Sequence, residues 1–250
     1  MKILSIGNSF GADTMEYLGH IAREMGVEAY HFANLYVGGC SIRRHYHNAV
    51  NDIAEYNYYS NSGEGWSMTP GYSIAATLAQ EDWDYVSIQH GTSDGSRYTK
   101  PESYDDLAAL VAYVKERTKA KVAFNMAWAM DPESTHKEMV SYGGDQKTMY
   151  ANMTKITREL VSPLVDVVSP TGTAIQNARQ VVDKKLTRDN FHLSLDLGRY
   201  IAGLTYGKAL CGWDIRQVTW RPEGVTQEEA EKARWAAISA VNNPYSVTAK

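Results

Sequence analysis

With 250 residues, 44% hydrophobic and 22% charged, the chain has the composition of a globular domain able to bury one sizeable core, which excludes disordered and fibrous classes. Its apolar runs fall well short of the ~18 residues of a membrane span, so no transmembrane helix is predicted. Lys and Arg number 25 against 29 Asp and Glu, a net charge of -4 that lacks the basic footprint of a nucleic-acid or anionic-membrane binder.

In chain order, strand-like runs alternate with helical periodicity, the pattern of parallel strands joined by crossover helices. Residues 2–7 read as the first strand, and 13–25 as a helix whose Met15, Leu18, Ile21, Ala22 and Met25 share one face before Gly26. A second strand is predicted over 28–37, then a glycine turn, a polar helix over 42–54, a Tyr/Gly-rich excursion over 55–71 and a helix over 72–80. The third strand covers 84–89, a helix starts at Pro101 and runs to about Thr118, and the fourth strand covers 120–128. A second excursion over 130–145 precedes a helix carrying Met149, Met153, Ile156 and Leu160, then a fifth strand over 164–168. Helices over 173–181, 195–210 and 226–241 complete an α/β chain with a mainly parallel five-stranded sheet, read as one domain over 1–250. The start MKILSIG lacks the apolar segment and small-residue cleavage site of a signal peptide. An export signal ahead of Lys2 would place the protein in the periplasm or outside the cell; a native start at Met1 would place it in the cytoplasm. Cys40 and Cys211 are too few for a disulfide framework and lack C-x-x-C spacing, so both read as buried thiols.

Ligands of such sheets bind at the carboxyl ends of the strands, and four loops there carry chemistry. GNSFG after strand one exposes Ser9 at a strand end beside helical N–H groups. The alternative is that Ser9 or Asp13 merely caps the helix. The string also fits the G-x-S-x-G elbow of α/β-hydrolases, but that elbow follows several strands rather than the first. TRDNFHLS places Asp189 three residues before His192, so one turn can bring the carboxylate to one imidazole nitrogen while the other faces a nucleophile. A capping Asp and a surface His are the plainer reading. In LYVGGCS, Gly38 and Gly39 allow backbone N–H groups close approach to an oxyanion, or simply make a tight turn. IQHGTSD offers Gln89 and Ser93 as side-chain donors.

Taken in order, these blocks resemble the SGNH (GDSL-type) hydrolase superfamily: Ser9 in GNSF matches the nucleophile block, Gly39 the glycine block, GTSD the Gly-x-Asn-Asp block and Asp189-x-x-His192 the acid–base block. GNSF, NLYVGGCS, WDY, Ala127–Trp128, DQKTMY, GTAIQNAR and LTRDNFHL together resemble a bacterial family of uncharacterised SGNH-like proteins found among polysaccharide-degrading genes. The resemblance implies a single three-layer α/β/α, flavodoxin-like domain and a serine esterase. Ser9 would be the nucleophile, His192 the base and Asp189 its orienter, with the backbone N–H groups of Ser9 and Gly39 as oxyanion donors. The family's third block has an oxyanion asparagine where this chain has Ser93, a shorter and freely rotating donor, which leaves Gln89 as the candidate substitute.

No metal or organic cofactor is expected: H-E-x-x-H and nucleotide glycine motifs are absent, and His45 and His47 stand two residues apart on a helix. Tyr58, Tyr59, Trp66, Trp128 and Tyr142 are the candidate substrate platform, since aromatic faces with polar tips suit sugar rings; packing of the excursions onto the body is the alternative. Family context implies an O-acyl ester on carbohydrate, with acetyl as the expected acyl group. A lipolytic esterase or thioesterase of the same mechanism and a catalytically weak carbohydrate-binding protein are the rival readings. The 172–179 segment has no chemical role beyond a helix start.

Overall fold

A computed structural model describes residues 1–91 and 104–249. Among them a single sheet has seven strands in the order β4-β3-β2-β1-β5-β6-β7. The strands are β1 (Lys2–Gly7), β2 (His31–Tyr36), β3 (Tyr56–Asn61), β4 (Ser67–Tyr72), β5 (Tyr85–Ile88), β6 (Lys121–Asn125) and β7 (Val167–Ser169). Strands β1, β2, β5, β6 and β7 pair in parallel, with Lys2 opposite His31 and Gly7 opposite Tyr36 at the two ends of the first ladder.

The expected count of five strands is corrected by β3 and β4, an antiparallel hairpin within the 55–71 excursion that extends the sheet beyond β2. Its β4 is an edge strand with five exposed residues in succession, and Pro70 lies on it. No buried face imposes an apolar alternation there, and proline is tolerated at an edge, so the segment reads as loop.

Helices cover both faces. Ile3, Phe32 and Ala123 point to one core, closed by α1 (Ser9–Met15), α2 (Leu18–Glu24), α7 (Thr171–Ala178), α8 (Leu197–Cys211) and α9 (Gln227–Asn242). Leu4, Ile6, Ala33, Leu35, Val86, Ile88, Val122 and Phe124 point to the other, closed by α3 (Ile42–Val50), α4 (Ile74–Gln80), α5 (Asp105–Arg117) and α6 (Gln146–Ile156). Odd and even positions of β1 thus serve opposite cores, as strand geometry requires. The Pro101 helix start lies outside the described residues, and among them no helix is long and apolar enough to cross a membrane.

Two local departures shape the site. The helix expected over 13–25 is two helices, α1 and α2, separated at Glu16 and Tyr17. At that break the Trp66 indole N–H donates to the Glu16 carbonyl at 3.2 Å, taking an acceptor that a continuous helix would use internally. Beneath α1 the core is polar rather than oily. Ser5, Asn34 and Gln89 converge there, and a Cβ on Gly7 would collide with the Gln89 amide, while one on Gly11 would lie 2.7 Å from it. Glycine at both positions lets α1 settle onto the sheet.

Candidate active site

The first turn of α1 presents Ser9 at the carboxyl end of β1. Asn8 caps the helix, its Oδ1 accepting from the Phe10 N–H at 3.0 Å, while its Nδ2 donates to the Cys40 carbonyl at 3.2 Å. One asparagine therefore ties the serine turn to the glycine turn after β2, where Gly39 sits at φ +59, a conformation glycine adopts without strain.

His192 Nε2 lies 2.7 Å from Ser9 Oγ, and His192 Nδ1 lies 2.7 Å from Asp189 Oδ2. The second Asp189 oxygen accepts from the His192 backbone N–H at 2.7 Å. A carboxylate only accepts, so in the neutral imidazole the proton sits on Nδ1, leaving Nε2 as acceptor for the serine hydroxyl. Burial alone would raise the Asp189 carboxyl; the hydrogen bonds and charge of His192 outweigh it and hold the carboxyl below the ordinary aspartate range.

The 187–194 loop is anchored from both sides. On one side Asp13, fully buried on α1, accepts from Arg188 Nη1 at 3.0 and 3.1 Å, from Arg199 Nε at 2.8 Å and from the Leu193 N–H at 3.0 Å. On the other, the segment after β6 supplies Asp131, whose Oδ2 accepts from Thr187 Oγ1 at 2.9 Å and whose N–H donates to the Asn190 carbonyl at 2.7 Å. Trp128 Nε1 donates to the Phe191 carbonyl at 2.5 Å. Phe10 stands between them, its ring 4.8 Å from Trp128 and 5.8 Å from His192. Asn190 takes φ +72, a left-handed conformation that asparagine tolerates better than most residues.

A cavity of about 330 Å³ opens beside Ser9. Its lining runs along α1 through Ser9, Ala12 and Asp13 to the C-cap Glu16, positions i, i+3, i+4 and i+7. One wall is aromatic, made by Tyr36, Tyr59 and Trp66, with the Tyr36 and Tyr59 rings edge to face at 5.6 Å. Asn34, Arg188 and Arg199 complete the lining.

Of the aromatics read from sequence, Tyr59 and Trp66 line this cavity and three others do not. Neighbouring β-strand positions face opposite sides, so Tyr58 turns to the other core, 6% exposed, its hydroxyl 2.9 Å from His31 Nε2. Tyr142 is buried in that same core, and Trp128 packs beneath the His192 loop. Gln89 is also corrected: fully buried, with its amide beneath Gly7 and Gly11 and its Oε1 accepting from Ser5 Oγ at 3.2 Å, it is not on the cavity wall. Ser93 lies outside the described residues. Sequence reading missed Asp13 as an anchor, and Tyr36, Arg188 and Arg199 as wall residues. Helical phase could have found Asp13 and Glu16 from Ser9, and Arg188 stands inside the TRDNFH string itself.

The family model described as Domain of unknown function (DUF4886) matches residues 2–240. The crystal structure of a DUF4886 family protein from Bacteroides uniformis is 31% identical, with a TM-score of 0.93 over 99% of this chain and 97% of that one. The fold is shared at lower identity with a putative SGNH hydrolase from Slackia heliotrinireducens, 19% identical with a TM-score of 0.59 over 84% of this chain and 98% of that one. It is shared too with a catalytic mutant of an acetylxylan esterase from Geobacillus stearothermophilus, 15% identical with a TM-score of 0.57 over 88% and 97%. No curated protein matches the chain.

Proposed function

The chain belongs to the DUF4886 family, and from that premise we propose that it is a serine esterase that removes O-acetyl groups from carbohydrate. The observation that carries the reading is the unbroken relay from Ser9 Oγ to His192 Nε2 and from His192 Nδ1 to Asp189, each link 2.7 Å. Serine, imidazole and carboxylate in hydrogen-bond reach are the recurring arrangement for activating a hydroxyl at neutral pH.

His192 takes the Ser9 proton as Oγ attacks the acyl carbonyl, and Asp189 steadies the imidazolium that forms. The backbone N–H of Ser9, in a helix turn that offers it no internal acceptor, and that of Gly39 receive the oxyanion. Collapse of the tetrahedral intermediate breaks the ester C–O bond, and the His192 imidazolium gives its proton to the departing sugar oxygen, which leaves as the free hydroxyl. Water, deprotonated by His192, then attacks the acyl carbon; the bond to Ser9 Oγ breaks, His192 returns the proton to Oγ, and acetate leaves. The walls support a small acyl group on a polar alcohol, being aromatic and charged with Ala12 the sole aliphatic side chain among the described lining residues. The fold shared with an acetylxylan esterase supports the same substrate class.

A second reading, a glycan-binding protein with feeble turnover, is favoured by one observation: the Gln89 amide lies away from the cavity, so it does not replace the asparagine donor. Loss of one such donor costs about 10²–10³ in turnover.

The test is hydrolysis of 4-nitrophenyl esters of increasing chain length by the wild-type chain beside Ser9→Ala, with phosphonate labelling read by intact mass. The esterase reading expects acetate to be the best ester, and both turnover and labelling to disappear in Ser9→Ala, a loss of about 10⁴-fold or more. Preference for long acyl chains would favour the lipolytic alternative; no turnover and no label on wild type would overturn the enzyme reading.

A further inference from the structure

Arg188 is fixed through one end of its guanidinium. Its Nη1 donates to both Asp13 oxygens and to the Leu193 carbonyl, while Nε and Nη2 have no acceptor among the described residues. Those two N–H groups form the parallel fork that matches a carboxylate in a bidentate pair, and a guanidinium keeps its charge at any working pH. Arg188 lines the same cavity as Ser9, Tyr59 and Trp66.

We propose that the cavity takes an O-acylated sugar whose ring carries a free carboxylate, an O-acetylated uronic acid, and that Arg188 reads this carboxylate through its Nε–Nη2 edge. The proposal rests on the esterase reading of Ser9 and specifies the substrate of that site. Three observations support it together. The first is spacing: Arg188 is held over Asp13, four residues and about 6 Å of helix rise from Ser9, comparable with the span of one pyranose ring. That distance puts the ester at the serine while a carboxylate across the ring meets the fork. The second is charge. Asp13 and Glu16 are balanced by Arg188 and Arg199, the latter bridging both carboxylates at 2.8 and 3.3 Å, so an incoming carboxylate meets the Arg188 edge rather than an uncompensated acid. Glu16 is also seven residues from Ser9, about 10 Å along the helix, so neither carboxylate of the described lining stands unpaired beside the serine. The third is rigidity: with Nη1 held by three acceptors, little side-chain freedom remains to be lost on binding.

The test uses full-length Ser9→Ala, so that binding is read without hydrolysis. Digalacturonate and its methyl ester, the same rings without the charge, are titrated by calorimetry at low and high salt. The acid is expected to bind about tenfold more tightly than the ester, with the gap narrowing as salt rises. Adding Arg188→Lys, which leaves a cation for Asp13 but removes the fork, is expected to erase most of that gap. Equal binding of acid and ester, binding of neither, or a gap that survives Arg188→Lys would each overturn the proposal. Because the acid–ester comparison needs no change at position 188, it holds even if the lysine variant does not fold. Turnover by wild type reports separately on Ser9, so a failed esterase reading and a failed carboxylate preference give different results.

Discussion

The 187–194 loop and the β3–β4 hairpin meet across the same cavity but are built in opposite ways. The loop has no regular secondary structure beyond one Thr187–Leu193 bridge, yet buried groups from α1 and from the segment after β6 fix it at its backbone and at Arg188. The hairpin has ladder pairing broken by one register shift between Tyr56 and Asn57, and β4 is exposed along nearly its whole length. Positioning of His192 thus relies on polar contacts in the interior, whereas the aromatic wall is carried by β2, β3 and the turn before β4 and is bordered by an exposed edge strand. Changes on the loop side should therefore alter the chemical step or the fold, and changes on the hairpin side should alter mainly substrate affinity.

The largest effect is expected from Asp189→Asn, which leaves the loop in place but no longer fixes the His192 tautomer. Turnover of 4-nitrophenyl acetate should fall by about 10³–10⁴-fold with little change in KM, measured by steady-state kinetics. An equal loss from a hairpin substitution would break the comparison.

Asp13→Asn should come next. It removes a fully buried charge and leaves Arg188 and Arg199 without their shared carboxylate. Breaking a buried pair in this way costs about 3–5 kcal/mol, and the partial exposure of both arginines places the expectation at the low end. Urea denaturation would measure it, and an activity loss in protein that is still folded would sharpen the view of Asp13 as a positioning residue.

The glycine side of the cleft contributes a pH dependence. His45 is fully buried behind Cys40 and Tyr56, with Arg44, Asn48 and Glu55 around it; burial first and Arg44 second push its pKa down to about 3. Unfolded, it titrates near ~6.5, so between these values the unfolded state binds the extra proton. Its contribution is fully present above about pH 6.5 and is lost by roughly 1.4 kcal/mol per unit as pH falls toward 3. Denaturation at steps from pH 7 down to about 4 should show that slope in wild type and a flatter one in His45→Gln.

The smallest effects belong to the hairpin. Tyr59→Ala and Trp66→Ala should each weaken KM for an acetylated oligosaccharide by about 2–10-fold, the range of a single aromatic contact, with 4-nitrophenyl acetate turnover nearly unchanged. Because the Trp66 indole also holds the Glu16 carbonyl, Trp66→Ala should in addition lower the melting temperature more than Tyr59→Ala does.

The same contrast governs what the sequence discloses. The five parallel strands have apolar runs because they are covered on both faces, and the D-x-x-H spacing is a local signal that needs no tertiary knowledge. The hairpin was hidden because an exposed edge strand carries no such pattern, and SMTPGY contains two residues that normally break strands. Among the wall aromatics, Tyr58 and Tyr59 are chemically identical neighbours; only the register of β3 against β2, Tyr59 opposite Asn34, separates the one at the cavity from the one in the core. The anchors were illegible for another reason: Asp13 and Arg188 acquire their roles from each other, across most of the chain.

That distance has a consequence for how the molecule is made. The Asp13–Arg188 pair links positions 175 residues apart, and Ser9 and His192 are 183 apart. In vectorial synthesis α1 emerges early, but its aspartate has no counter-cation until the segment beyond residue 186 has followed. Closing so long a loop costs entropy before any contact repays it, and contacts of such high order form slowly. The Ser9–His192 contact is therefore expected among the last to assemble, and an N-terminal fragment ending before residue 187 lacks both the base and the cations that let α1 bury its charge.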